Sequence, residues 1–165
     1  MRLAASASLL ALSLLAATAH AQTDAVRTEK NMSLELANQI AAASVAACTA
    51  NGYAVSATVV DRAGNVRAVQ RADNAGPHTL AASYDKAFTS ASAKNNTLAM
   101  MEGAQKSPAA ANLVHIPGFL LLGGGVPIKV GNETIGAVGV GGAPGGNLDE
   151  QCAVAALEQV KEQLK

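Results

Sequence analysis

Few side chains in this sequence are equipped for ligation or catalysis. It holds three histidines, and His20 lies in an N-terminal leader, which leaves His78 and His115. Neither stands at a zinc-site spacing from a cysteine or from the other. His78 sits in Gly76-Pro77-His78-Thr79, at a predicted helix start. A neutral imidazole there can ligate a metal or a haem iron. His115 sits in Leu113-Val114-His115-Ile116-Pro117. Taken singly, each is more often a hydrogen-bonded structural histidine than a ligand. Lys86 falls mid-helix between apolar neighbours. It is either a desolvated amine of the kind used in catalysis or a side chain that snorkels to water. Met100-Met101 offers thioethers that either reach an iron or fill a core. There is no G-x-S-x-G, and neither cysteine has the surroundings of a nucleophile.

Backbone chemistry is better represented. Leu121-Leu122-Gly123-Gly124-Gly125-Val126-Pro127-Ile128 is followed by Ile135-Gly136-Ala137-Val138-Gly139-Val140-Gly141-Gly142. Glycine this dense beside valine marks backbone that approaches something closely. Gly124, Gly125, Gly141 and Gly142 are therefore candidate ligand contacts. The run Gly139 to Pro144 is not a dinucleotide fingerprint. Its sixth position is proline, no strand follows the last helix, and the acidic partner about 20 residues on is missing. Two readings remain: a Gly-rich turn whose N–H groups receive a carboxylate or phosphate at a helix start, or a tight turn capped by Asn147.

The elements that carry these residues follow from periodicity. A helix is predicted after Ser33 to about Asn51, with Leu36, Ile40, Ala43 and Ala47 on one face. Tyr53 to Val60 and Val66 to Arg71 read as a hairpin around residues 61–65. Pro77 opens a helix to about Lys94 on the period Leu80, Tyr84, Ala87, Ala91. A short helix from Thr97 to Gln105 and a linker with Pro108 come next, then a candidate strand Leu113–Ile116. Val126–Val130 and Glu133–Val140 form a second hairpin about Gly131-Asn132. The last helix is expected from an Asn147 cap to about Leu164, with Val154, Leu157 and Val160 inward. Links this short make antiparallel pairs, so the expected class is α+β: an antiparallel sheet with helices packed on it.

The N-terminus has the plan of an export signal: Arg2, an apolar run from Leu9 to Ala17, and Ala19-His20-Ala21 before Gln22. That run is about ten residues, against the roughly 20 a bilayer span needs. The expectation is a signal peptide over 1–21 and one domain over 22–165, periplasmic or secreted, with no membrane segment after cleavage. Removal of Arg2 leaves 11 basic residues against 12 acidic ones. There is no basic run, and only two Tyr and two Phe are available for stacking, so nucleic acid is not an expected partner. Cys48 and Cys152 both survive cleavage. In an oxidising compartment an even pair reads as one disulfide, the alternative being two buried thiols. Val- and Ala-rich faces on so small a domain suggest a homo-oligomer.

Four pieces together resemble the GlcG/HbpS-like family, which includes haem-binding proteins and the C-terminal domain of PduO. They are Val59-Val60-Asp61-Arg62-Ala63-Gly64, Ala75-Gly76-Pro77-His78-Thr79, Ser83-Tyr84-Asp85-Lys86-Ala87-Phe88-Thr89, and the glycine block from Gly124 to Gly142. The resemblance runs from about Met32 to Leu164. It implies a profilin-like fold and a symmetric oligomer. It also implies a small-molecule ligand, with haem first and His78 as the iron ligand. Lys86 would then meet a haem propionate or another carboxylate, and His115 would have a supporting role. The alternatives are an enzyme or enzyme accessory that uses Lys86 on a carboxylated metabolite, and corrinoid-related binding. No catalytic residue is assigned.

Overall fold

The computed structural model describes residues 25–165, so the expected signal peptide lies outside the described residues. Helix α1 is Leu34–Ala50, and the Ser33 hydroxyl caps it by accepting from the Leu36 N–H. Strands β1 (Ser56–Asp61) and β2 (Val66–Arg71) form the first hairpin. Three helices follow: α2 (His78–Ala93), α3 (Thr97–Lys106) and α4 (Pro108–Ala111). The second hairpin, β3 (Gly125–Val130) and β4 (Glu133–Gly141), leads to α5 (Gly146–Gln159). The strands lie in the order β2-β1-β4-β3, antiparallel throughout. The expected α+β architecture is present. Among the described residues no helix is long and apolar enough to cross a membrane.

The period of two along β1 sorts the layers. Ala57 and Val59 pack with Val138 and Val140 under α1 and α5, in a core that includes Ile40, Ala41 and Ala153. Ser56, Thr58 and Val60 face α2. The Ser56 and Thr58 hydroxyls there share hydrogen bonds of 2.7 Å with Thr79 and Ser83. The buried apolar cluster on this side is small: Val60, Ala87, Ala91 and Ala137, with Tyr84 against them. Helix α2 therefore seats on small and hydroxylated side chains, and Gly139 lets it come close: a Cβ there would overlap the Ser83 carbonyl and the Ala87 nitrogen. Gly139→Ala is expected to cost about 3 kcal/mol, the upper range for forced overpacking. Gly103→Ala, on open helix surface, should be neutral or slightly stabilising. Urea midpoints of the two variants check both, and equal midpoints would contradict this seating.

A Cys48–Cys152 disulfide joins α1 to α5, with 5.3 Å between the Cα atoms. Three local expectations are corrected. Leu113–Ile116 is not a strand: Asn112–His115 is a 3₁₀ turn. Its continuation lies along α2, where the Leu120 N–H donates to the Thr89 hydroxyl, rather than along a sheet edge. Asn147 does not cap α5. The extended Gly145 takes that place, and its carbonyl accepts from Leu148 and Asp149. Val154 points out, at 43% exposure, while Asp149, Cys152, Ala153 and Ala156 point in. The disulfide and the burial of Asp149 set that rotation.

Candidate functional site

The two glycine bends meet at one end of the sheet. A Cβ on Gly123 would press on the Gly146 backbone at 2.9 Å, and one on Gly141 would reach Ala82 and Ser83 at 3.3 Å. The first bend thus borders the start of α5, and the second borders the first turns of α2. The two are knitted by a bond from the Val140 N–H to the Gly124 carbonyl, 2.9 Å. Gly124 and Gly142 have φ of +124° and +131°, which only glycine adopts readily.

Beneath the bends lies a buried ion pair. Lys86 Nζ is 2.7 Å from Asp149 Oδ2 and 3.0 Å from the Val140 carbonyl, and the two side chains are only 2% and 4% exposed. The other carboxylate oxygen, Oδ1, accepts from the Ala143 N–H at 3.0 Å. Burial pushes the Asp149 carboxyl above its ordinary value, against the opposing pull of the Lys86 charge and of the hydrogen bonds. The pair clamps five pieces together: α2, the end of β4, the 142–146 loop, the start of α5 and, through Gly124, the strap before β3.

The candidate residues are therefore divided. Lys86 has its ammonium committed to Asp149 and closed off from solvent. Gly124 and Gly125 are buried, and their backbone packs over Lys86. Gly141 is buried under α2, and Gly142 is exposed. His78 is exposed, as the first residue of α2, and its ring packs on Gly76. The bend at Gly141-Gly142 is next to it, against Thr79. His115 is exposed but is not part of this end. Its strap meets α2 at Phe88 and Thr89, roughly 15 Å along the helix from His78 at 1.5 Å per residue. Among the described residues, no three His, Cys, Asp or Glu side chains gather where a metal ion would sit.

Two residues escaped the sequence reading. Asp149 is visible as an acidic residue in the first turn of a helix, but its partner is 63 positions away. Glu150 stands one residue further along α5, where the sequence suggests only a contact within its own helix start. Instead it accepts from the Asn96 side chain at 2.9 Å and from the Leu98 N–H at 3.4 Å, so it steadies the start of α3.

This sheet order, with one helix on one face and two joined by a disulfide on the other, defines a small α+β domain whose glycine bends close over a buried Lys–Asp pair. The chain belongs to the HbpS-like family: the profile described as "Haem degrading protein HbpS-like" matches residues 32–158. It is 34% identical to Protein GlcG of Escherichia coli K12 over 115 residues, 70% of this chain and 84% of that protein. It superposes on a double mutant of HbpS from Streptomyces reticuli with a TM-score of 0.77 at 37% identity, covering 88% of this chain and 97% of that one. A PduOC–haem complex shares the fold at 20% identity, with a TM-score of 0.70 over 78% of this chain and 94% of its own.

Proposed function

We propose that the protein is an exported haem-binding protein, acting in scavenging or sensing, with His78 as the iron ligand. One observation carries the reading. An exposed imidazole opens α2 beside a bend whose other end opens α5, and no side chain caps either helix. Uncapped first turns leave N–H groups for carboxylates. The residues present fit a haem in that respect: His78 offers a nitrogen to the iron, and the two helix starts offer donors to propionates. Lys86 does not take part. Leu80, 43% exposed two residues beyond His78, supplies apolar surface to the porphyrin. A symmetric partner would supply the rest, so the site is assigned to a subunit boundary in a homo-oligomer. Membership of a family described by haem degradation, and likeness to a haem complex in fold, point the same way. The disulfide supports export to the periplasm or beyond, because such bonds persist in oxidising compartments. The alternative of an enzyme acting on a carboxylated metabolite loses its amine, since Lys86 is sealed against Asp149.

Titrating the oxidised protein with haemin tests this. A saturable Soret band is expected in the native chain, with affinity lowered at least about tenfold in His78→Ala, the loss of one ligand bond of about 1.4 kcal/mol or more. His115→Ala should bind as the native chain does. Light scattering of the same preparation should give a mass above one subunit. An unchanged Soret titration in His78→Ala overturns the assignment.

A further inference from the structure

The opposite end of the sheet carries a cleft of about 530 Å³. That falls within the usual range for small-molecule sites. It lies beyond Val130, about 16 Å along β3 from Gly125 at the usual strand rise, and next to the C-terminus of α2, whose N-terminus carries His78. It is therefore independent of the haem reading.

Its lining is charged and mostly cationic: Lys30, Arg62 and Lys94 against one carboxylate, Glu133, with Asn132 and Thr134 as further polar groups. The acidic groups at this end are already matched. Arg62 Nη1 is 2.7 Å from Glu133 Oε1 and 2.9 Å from the Lys30 carbonyl, and its Nε is 3.3 Å from Glu29 Oε2. Arg62 consequently holds the wall in shape. No carboxylate lies within ion-pair distance of the Lys30 or Lys94 ammonium among the described residues. Lys94 is also one of two non-glycine residues described with positive φ, at +55°. It occupies the left-handed position after α2, where glycine is the usual choice. A lysine there accepts a backbone cost of roughly 1 kcal/mol and places a cation in the cleft.

We propose that this cleft is a binding site for a small polyvalent oxyanion, a di- or tricarboxylate or a phosphate compound, held between Lys30 and Lys94 with Arg62 as a fixed wall. The Lys30 charge also acts on Glu133, whose carboxyl is held below its ordinary value chiefly by Arg62. Neither ammonium is in ion-pair contact, however, and two such groups around a polar cleft recognise separated negative charges. The chemistry is shared by carboxylates and phosphates.

Isothermal titration of the full protein with citrate and with pyrophosphate, in 0.1 M salt, tests the site and separates the two sources. The expected result is a Kd below about 1 mM for at least one of them. Lys30→Ala/Lys94→Ala should weaken it at least about tenfold, and His78→Ala should leave it unchanged. Lys94→Gly adds an arm that separates binding from folding. It relieves the left-handed strain, so its melting temperature should hold or rise while anion affinity falls. Binding of neither anion overturns the site, as does an affinity that both lysine variants leave within about threefold of the native value.

Discussion

Lys86→Met is expected to destabilise the protein by about 3–5 kcal/mol, because it leaves the Asp149 carboxylate buried without its partner. Only 4% of that side chain is exposed, and what would remain to it are hydrogen bonds from the backbone of Ala143 and Gly142. Such a loss would consume much of the 5–15 kcal/mol typical of a small domain. Asp149→Leu should cost a similar amount by stranding the ammonium instead. The double variant Lys86→Met/Asp149→Leu should recover most of either loss, since apolar pairs of similar volume often replace a buried ion pair at little cost. The cycle is read from urea unfolding midpoints at constant slope. A single-variant loss below about 1 kcal/mol, in the range of an exposed ion pair, would mean that the pair does not clamp the bends. The same cycle bears on function. With the bends positioning ligand donors at the α2 and α5 starts, the double variant should bind haemin as the native chain does, where His78→Ala binds at least about tenfold more weakly.

Reduction of Cys48–Cys152 should have an effect of comparable size. The two residues are 104 positions apart. For a loop of that length the chain-entropy account gives roughly 4–5 kcal/mol, an upper figure that native-state strain would reduce. The bond ties α1 to α5, the two helices over the main core, so its loss should separate them first. Unfolding in urea with and without reductant measures the difference, and Cys48→Ala/Cys152→Ala should reproduce the reduced protein. Coincident curves would show that packing of α1 on α5 alone holds that face. Thiol titration of oxidised protein in denaturant should find no free thiol.

Local pattern carried most of the element list. Ser33 marked the start of α1, the 61–65 turn and Gly131-Asn132 marked both hairpins, and Pro77 marked the entry to α2, because each signal acts within a few residues on the backbone that makes it. Rotation of the helices was harder to read. On α2 the predicted face included Leu80, yet the buried residues include Thr79, Ser83, Lys86 and Ser90. Apolar periodicity misleads when the opposing sheet presents hydroxyls and glycine instead of aliphatic side chains.

The site divides along the same line. Residue types and turn chemistry were enough to place the glycine bends and His78 beside helix starts. That Lys86 and Asp149 meet, that His115 lies on the far half of α2, and that Lys30, Arg62 and Lys94 share a cleft depended on which elements the sheet order β2-β1-β4-β3 brings together. Charges 63 positions apart leave no periodic trace in a chain. Their pairing exists only once burial has removed water from both and made each the other's least costly partner.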